Sequence, residues 1–466
     1  VQELFYQEYL SKFGQGCEYT CACGQRHRIE TEQILFGRDI LSEVSALVSE
    51  TRGRDCGIWI LSDENTEQAA GCRLKKSLRG FRVEQTILPG LPKPEPTIEN
   101  VQSLCETVRT ASPDLLISVG GGTISDMVKK ISHDTGIGNW CVVTCASVDA
   151  FTSGKAAIWF KGYHRAVPSK VSEIVVCDLS VLEEAPLELF LSGMGDLLGK
   201  YLAYLDWHLS HLVTGEPICE EASRFGLESA RRALVAAENF SEDRQKATHY
   251  LADAVLTSGL LMQSVGSSRP AASAEHTIAH FWEMYGTVQN KTYDLHGILV
   301  GLASLLVLEA YRDFFARLKT LSIDVPGRIE SFQREPTWEE TLGEEILPFK
   351  FKLVEEMEGK GAWTQKRLEE RLVRFQSNRR EIEALASEQM EELERAIKIL
   401  SESGFPFSFA HLEVKPESAF LPFPYERYLR DRYTAFDLMY ELGVEQQTLE
   451  KLQECVFERR RLRPDL

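Results

Sequence analysis

Three places in this sequence join residue type and spacing in a way that can do chemistry. The first is Ile117-Ser118-Val119-Gly120-Gly121-Gly122-Thr123-Ile124-Ser125-Asp126. An apolar run from Leu115 to Val119 is closed by three glycines, and Ile124, Met127, Val128 and Ile131 then recur at helical spacing. Strand, glycine turn and helix together aim backbone N–H groups and a helix N-terminus at a phosphate. The pattern is not GxGxxG, so the standard dinucleotide fingerprint is absent. The second place is a set: Asp196 in Gly193–Lys200, His276 in Ser273–His280, and His296 in Tyr293–Gly297. One carboxylate and two imidazoles make a mixed oxygen and nitrogen site for a divalent metal with open positions. His276 and His280 lie four apart on one helix face and compete as a ligand pair, and any of these histidines also reads as an ordinary structural residue. The third place is Cys17, Cys21, Cys23 and His27. Thiols with an imidazole suit zinc, but Cys21-x-Cys23 is tight for a chelate pair and no second CxxC follows, so a plain N-terminal hairpin is the alternative. Asp63, after the apolar run Cys56–Leu61, has two readings as well. It can accept from ribose hydroxyls at a strand's C-terminal end, or cap a helix beginning near Asn65.

The elements that would hold these residues change character along the chain. Residues 27 to 36 alternate as a strand, and Asp39 to Ser49 is amphipathic. Cys56–Leu61, Phe81–Leu88, Leu115–Val119, Asn139–Thr144 and Ile174–Cys177 read as strands, with helices over Glu67–Ser77 and Ile98–Thr110 and a proline-stiffened loop from Pro89 to Pro96. Alternating strands and helices predict a parallel, doubly wound sheet over roughly residues 30 to 180, within a Rossmann-like α/β domain of residues 1–184. From residue 185 to 466 the pattern is helix after helix: Leu187–Leu212, Cys219–Glu238, Arg244–Val265, Ser273–Tyr285, Asp294–Leu318, a charged stretch from about Thr364 to Ser401, Tyr425–Tyr440 and Glu445–Arg459. The expectation is an α/β dinucleotide-binding domain followed by an all-α metal- and substrate-binding domain, with a cleft between them.

Composition sets the bounds. At 466 residues, 43% hydrophobic and 26% charged, the chain is globular and long enough for two or three domains. A formal net charge of −18 argues against nucleic acid and anionic membrane surfaces, while a local pocket can still take an anionic small substrate. No apolar run is long enough to span a bilayer. Val1-Gln2-Glu3-Leu4 has no basic stretch or signal-like core, and the eleven cysteines are scattered. Both features give a cytoplasmic, reduced setting as the expectation; a leader removed ahead of Val1 is compatible with it.

On these residues the sequence resembles the superfamily of iron-containing alcohol dehydrogenases, glycerol dehydrogenases and dehydroquinate synthases. Within it, the chain looks most like the sn-glycerol-1-phosphate dehydrogenases. The matching stretches are Gly120–Asp126, Gly195–Lys200, Asp206-Trp207, Ser267–Ala271, Glu275–Glu283, Leu295–Gly297 and Leu429–Asp437. The resemblance implies a dehydroquinate synthase-like fold. It implies Asp196, His276 and His296 as ligands of one divalent metal, which is zinc, nickel or iron in different members. It implies NAD or NADP held by Gly120, Gly121, Gly122, Thr123 and Asp126, with Asp63 near the adenosine ribose, and with Thr144, Ser147, Asp149 and Ser153 in the segment lining nicotinamide and substrate. Lys200, Asp149, Lys155 and His280 become candidate catalytic residues, with Lys200 placed one turn beyond Asp196 on the metal-bearing helix. The implied reaction is hydride transfer to C2 of dihydroxyacetone phosphate to give sn-glycerol 1-phosphate, in a homodimer or larger homo-oligomer. Lys200 and Arg269 are the cations offered to the phosphate; for Arg269 an ion pair supporting a loop is the alternative.

Two departures bear on substrate. Ser147-Val148-Asp149-Ala150-Phe151-Thr152-Ser153-Gly154-Lys155 carries a lysine where dehydroquinate synthases have one and glycerol-1-phosphate dehydrogenases usually do not. Ala271-Ala272-Ser273-Ala274 replaces the usual Ala-Ser-Gly-Ser/Ala before Glu275. A rival function is therefore a sugar-phosphate cyclase that recycles bound NAD. Lys155 favours it, while Asp196 in place of glutamate and the Ser267–Ala271 stretch oppose it. A third reading, a binding or scaffold protein that keeps the fold without catalysis, is opposed by the intact Asp196/His276/His296 set.

Overall fold

Six apolar runs of β-prone residues assemble into one sheet. The computed structural model describes residues 4–14, 16, 18–289, 291, 295–332, 344–360, 364–408 and 416–458. Cys17, Tyr293, Asp294 and Arg459, all named above, lie outside the described residues. In chain order come α1 (Phe5–Phe13), β1 (Glu18–Thr20), β2 (Arg26–Arg28), β3 (Gln33–Gly37), α2 (Val44–Arg52) and β4 (Gly57–Asp63). Then follow α3 (Glu64–Thr66), α4 (Cys72–Ser77), β5 (Arg82–Leu88), α5 (Ile98–Ala111), β6 (Leu115–Gly120), α6 (Gly122–Thr135), β7 (Gly138–Val143), β8 (Lys155–Phe160), β9 (Tyr163–Pro168) and β10 (Ile174–Asp178).

The sheet order is β3-β10-β7-β6-β4-β5, and every neighbouring pair is parallel. The strands β4, β6 and β10 are buried along their whole length, whereas β5 alternates and β3 is half-buried. Continuous apolar runs in the middle and mixed ones at the edges are what covering both faces with helices requires. One face packs Trp59, Leu61 and Leu116 against Leu104 and Val108 of α5 and against Ile124, Met127, Val128 and Ile131 of α6.

Two local expectations fail here. The expected single strand over residues 27 to 36 is split. Its first part pairs in the antiparallel hairpin β1–β2 and its second joins the sheet as β3. The antiparallel hairpin β8–β9 is not in the sequence reading. Its Ala156 and Ile158 join the core cluster beside α6, and that tertiary burial, rather than a clear alternation, makes it a strand pair.

Among the helices that follow are α7 (Leu179–Glu183), α8 (Leu187–Leu198), α9 (Lys200–Thr214), α10 (Glu220–Asn239), α11 (Arg244–Val265), α12 (Ala274–Val288) and α13 (His296–Leu318). They continue with α14 (Val325–Ser331), α15 (Lys350–Lys360), α16 (Gln365–Glu402), α17 (Pro416–Phe420), α18 (Glu426–Leu429), α19 (Ala435–Leu442) and α20 (Glu445–Glu458). The expected helix Leu187–Leu212 is two helices broken at Gly199. A Cβ there would lie 2.8 Å from Glu275 Oε1 and 3.0 Å from His276 Cε1. The expected helix Tyr425–Tyr440 is also two, because Arg430 is extended and Thr434 starts α19 as the N-cap of a capping box with Asp437.

The chain divides into two compact units. Unit 1 is Val1–Leu197 with Glu228–Ser268, and unit 2 is Leu198–Leu227 with Arg269–Leu466. Residue 184 marks roughly where strands cease, since β10 ends at Asp178; the sheet-bearing unit also takes in most of α8 and all of α11. In unit 2, α13 is buried on nearly every face, as a helix apolar all round must be. The 38-residue α16 lays a stripe of Leu368, Leu372, Phe375, Ile382, Leu393 and Leu400 along α9 and α13 and leaves its charged face to solvent.

Candidate active site

In unit 1 the site is built from backbone. Gly121 caps α6 with φ −81 and ψ −167, and no side chain caps the helix. Its first N–H groups therefore have no side-chain acceptor. The three glycines are not needed for a left-handed backbone but for close approach. A Cβ would sit 2.7 Å from Ile124 Cβ at Gly120, 3.2 Å from Cys145 Sγ at Gly121, and 2.8 Å from Val148 Cγ2 at Gly122. The sheet order places this turn. The strand β4 has β5 on one side and β6 on the other, so the chain reverses direction across the sheet there. Ligands of open α/β sheets bind outside the carboxyl ends of the strands at such a switch point. Asp63 ends β4, Gly120 ends β6 with Val143 of β7 paired to it, and the Thr144 amide donates to the Gly120 carbonyl at 3.2 Å. Asp63, Gly120–Gly122 and Thr144 thus stand along one edge of three neighbouring strands.

Asp63 realises the helix-cap reading. Its Oδ1 accepts from the Asn65 and Thr66 amides at 2.8 and 2.9 Å, and Thr66 Oγ1 accepts from the Asp63 amide in return. A cap at a strand's end still leaves a carboxylate on the edge where a ribose would lie, so the two roles are compatible.

The segment from Thr144 to Lys155 is clamped from several sides. Gly193 of α8 passes so close that a Cβ would fall 1.9 Å from the Ala146 carbonyl oxygen, and at Gly259 of α11 it would fall 2.5 Å from the Asp149 carbonyl oxygen. Ser192 Oγ donates to the Ser147 carbonyl at 2.9 Å. The Asp149 amide donates to Asp196 Oδ2 at 2.9 Å, and Ser258 Oγ to Asp149 Oδ2 at 2.7 Å. Asp126 accepts from the Ala157 amide at 2.8 Å and pairs with the fully buried Lys129 at 2.8 Å. Lys129 Nζ in turn donates to the Ala150 and Lys155 carbonyls at 2.9 and 2.7 Å. Asp126 thus acts on the loop through Lys129 and β8. Ser153 Oγ accepts from the Lys155 amide at 3.1 Å, and the Lys155 side chain is exposed.

In unit 2 the site is built from side-chain charge. His276 and His280 share a face of α12, and His296 opens α13. The rings of His280 and His296 stack with centroids 4.8 Å apart, and those of His276 and His296 are 5.5 Å apart. Each ring has its Nδ1 on a carboxylate: His276 on Glu275 Oε1 at 2.7 Å, His280 on Glu283 Oε2 at 2.9 Å, and His296 on Glu283 Oε1 at 3.0 Å. A carboxylate accepts, so Nδ1 donates and a neutral ring carries its lone pair on Nε2. That is how a protein prepares an imidazole to bind a metal. Burial alone would push the Glu283 carboxyl up, but the His296 charge, hydrogen bonds from His280 and His296, and the His280 charge hold it well below the usual carboxylate range.

Lys200 is fully buried and starts α9 after the break at Gly199. It therefore does not continue the helix that carries Asp196, as the sequence reading had it. Arg269 takes its alternative role: Nε donates to Glu216 Oε1 at 2.8 Å, Nη2 pairs with Glu216 Oε2, and Nη1 donates to the Tyr433 carbonyl at 3.3 Å. A further cation, one that no local pattern marks, is Arg432, half-buried and donating to the Ala272 carbonyl just before α12. Desolvation, then Arg430 and Arg269, push its pKa down to about 9, while Asp431 and Glu275 act the other way.

Residues 35–186 match the iron-containing alcohol dehydrogenase family. The glycerol-1-phosphate dehydrogenase [NAD(P)+] of Bacillus licheniformis is 30% identical over 296 residues, which is 63% of this chain and 73% of that protein. That of Bacillus subtilis is 30% identical over 308 residues, 66% of this chain and 77% of its own length. This chain belongs to the glycerol-1-phosphate dehydrogenase family. Among solved structures it is similar in fold to an NADH-dependent butanol dehydrogenase A from Thermotoga maritima, with a TM-score of 0.57 at 16% identity over 90% of this chain and 96% of the other. As a member of the glycerol-1-phosphate dehydrogenase family, the chain is an oxidoreductase.

Glu275 and Glu283 were quoted in the sequence only as part of a matching stretch. The i, i+3 spacing of His280 and Glu283 was the available signal for a ring-orienting role. Lys129 had the same signal through Asp126. The approaches at Gly193 and Gly259 had none, because close packing across sequence-distant elements leaves no local pattern.

Proposed function

We propose that the chain is a metal-dependent NAD(P)H oxidoreductase that reduces dihydroxyacetone phosphate reversibly to sn-glycerol 1-phosphate, working as a homodimer or larger assembly. The observation that carries this reading is the set of three imidazoles, each with Nδ1 held by a carboxylate, buried Glu275 or half-buried Glu283, and Nε2 left as the basic nitrogen. Asp196, His276 and His296 are the proposed ligands of one divalent cation, and the donor set suits zinc, nickel or iron alike. When bound, the cation supplies Lewis-acid polarisation of the substrate carbonyl and the nicotinamide supplies the hydride.

The chain's own residues do the rest. Glu275 and Glu283 fix the imidazole tautomers. His280 handles the proton for the new hydroxyl at Nε2, with Glu283 on its Nδ1 stabilising the charged ring. The amides of Gly122 and Thr123 at the start of α6 take the cofactor pyrophosphate, with Asp63 at the adenosine ribose and Thr144, Ser147 and Ser153 along the nicotinamide. Asp149, fixed through its own amide and Ser258, lines the reacting end. For the phosphate of the substrate we assign Lys200 and Arg432 in place of Arg269, whose fork is already on Glu216. Lys155 is assigned to substrate rather than cofactor, so Lys155→Ala is expected to raise the substrate KM and leave that of the nucleotide.

The deciding experiment is a substrate panel with NADH and NADPH, with zinc, nickel or iron added in turn. Net NADH consumption with dihydroxyacetone phosphate, yielding the sn-1 isomer, is the expected result. Product from a sugar phosphate with no net cofactor turnover would mean a cyclase. Neither turnover nor stoichiometric metal would leave a binding protein.

A further inference from the structure

Among the described residues, the N-terminal hairpin holds a candidate ligand cluster that the proposed reaction does not use. In β1–β2, Tyr19 pairs with His27. The turn between the strands closes with the Cys21 amide donating to the Gln25 carbonyl at 3.0 Å and the Gly24 amide to the Cys21 carbonyl at 3.0 Å. Gly24 takes φ +80, a conformation that favours glycine, and this tight turn brings Cys21 and Cys23 round onto the side of the imidazole. Cys23 Sγ lies 3.2 Å from His27 Nε2. The ligand atoms of Cys21, Cys23 and His27 all fall within 4.8 Å of one another. Tetrahedral zinc with sulfur and nitrogen at their usual bond lengths sets an S···N edge of ~3.5 Å, so little movement is needed to close the set on an ion.

The tautomer is set as well. His27 Nδ1 lies 3.0 Å from the Ser264 carbonyl oxygen. A carbonyl only accepts, so Nδ1 donates, and in the neutral ring the lone pair is on Nε2, the atom facing Cys23. A backbone carbonyl on the distal nitrogen is one of the usual supports of a metal-bound histidine. His27 and Cys21 are buried and Cys23 is half-buried.

We propose that Cys21, Cys23 and His27 bind zinc as a structural site of unit 1. The hairpin supplies three ligands, and a water or a further thiolate of the chain supplies the fourth. Two thiol protons leave on binding. The ion would fasten the turn to the C-terminal end of α11, where Tyr9 Oη already meets Ser264 Oγ at 2.5 Å and where Gln263 Oε1 accepts from the Thr31 amide at 3.1 Å. The site would thus hold α1, the hairpin and the lead into β3 as one piece. Thiolates favour zinc here, whereas the carboxylate and imidazoles assigned to catalysis contain no sulfur. The two sites are therefore spectroscopically distinct.

The test loads the full chain with cobalt(II) and follows thiolate-to-cobalt charge-transfer absorption, which the sulfur-free catalytic set cannot produce. The band is expected in the wild type and in His276→Ala alike, and is expected to be lost in Cys21→Ser and Cys23→Ser. Absence of the band in the wild type, or its survival in both serine variants, overturns the proposal. Because a serine variant can misfold, the wild-type chain is also alkylated with and without a zinc chelator. Cys21 and Cys23 are expected to be protected by zinc and labelled once it is removed. Equal labelling in both conditions means a plain thiol–imidazole hydrogen bond and overturns the site. Failure here leaves the reductase reading untouched, since turnover is measured separately.

Discussion

The two units make their share of the chemistry from different materials. Unit 1 offers backbone: an uncapped helix start and three glycines whose neighbours stand 2.7 to 3.2 Å from where a Cβ would be. Unit 2 offers ionisable side chains: imidazoles whose outer nitrogens rest on the carboxylates of Glu275 and Glu283. A backbone cradle does not titrate and fails when volume is added. A charge-supported cluster tolerates small changes of volume and fails when a ligand or its proton is changed. The comparison breaks if substitutions in the two units have the same signature.

The largest effect is expected from His276→Ala. Removing one imidazole should abolish metal retention and lower kcat/KM by at least about a thousandfold, the scale on which electrostatic stabilisation of a developing charge acts. Fluorescence titration should find NADH affinity unchanged, because the cradle belongs to the other unit. Unchanged turnover would sink the ligand assignment.

Next in size is a pH dependence of stability in unit 2. Asp206 is fully buried and accepts only from neutral donors, Ser273 Oγ at 2.6 Å, Tyr311 Oη at 2.9 Å and the Ala435 amide at 3.1 Å. Burial therefore dominates, Glu275 adds to it, and the carboxyl is pushed up from 3.8 to about 7. Between those values the native state keeps a proton that the unfolded chain has lost, so stability falls as pH rises through that window and levels off above it. At 1.36 kcal/mol per pK unit the loss approaches ~4 kcal/mol. Urea unfolding should have a lower midpoint at pH 8 than at pH 5, and Asp206→Asn should flatten the slope. A slope that survives the substitution would place its origin in other carboxyls.

Gly122→Ala is the counterpart in unit 1. The added methyl meets Val148 Cγ2 at 2.8 Å, and overpacking of this kind costs about 1–3 kcal/mol. Here it should appear as roughly a tenfold weaker nucleotide Kd, with metal content and pH profile unmoved. A loss of metal in this variant would erase the distinction between the units.

What the sequence could and could not reveal follows the same divide. The sheet and the glycine turn were legible because each is carried by a local period, whereas the three histidines, open to a structural reading by spacing alone, stood out through the family resemblance. The helix Arg244–Val265 was legible to the residue, with Asp243 as its N-cap and Gly266 at its end. The break at Gly199 was not, because an unbroken apolar pattern runs through it and the reason for glycine lies on α12, some 75 residues away. Arg269 stayed open between a phosphate ligand and an ion pair because its partner Glu216 is also remote in sequence. Arg432 has no local mark because what distinguishes it is the nearness of Arg430 and Arg269 to a half-buried guanidinium, a property of the folded chain.

The smallest effect is the sharpest test of the divide, since Asp63 is a charge beside a nucleotide cradle otherwise built from backbone. Its Oδ1 caps α3 through the Asn65 and Thr66 amides, and asparagine caps a helix about as well as aspartate. Asp63→Asn therefore removes the charge and keeps the cap, so thermal stability should hold within about 0.5 kcal/mol. If the carboxylate also lies by the adenosine ribose, it repels a 2′-phosphate by roughly 1 kcal/mol at the partly solvated edge of the sheet. The variant should then use NADPH up to about tenfold better relative to NADH. A preserved cofactor ratio with preserved stability would make Asp63 a cap alone. In that case the cofactor choice of unit 1, like its phosphate grip, would be left to the backbone and to neighbours other than this carboxylate.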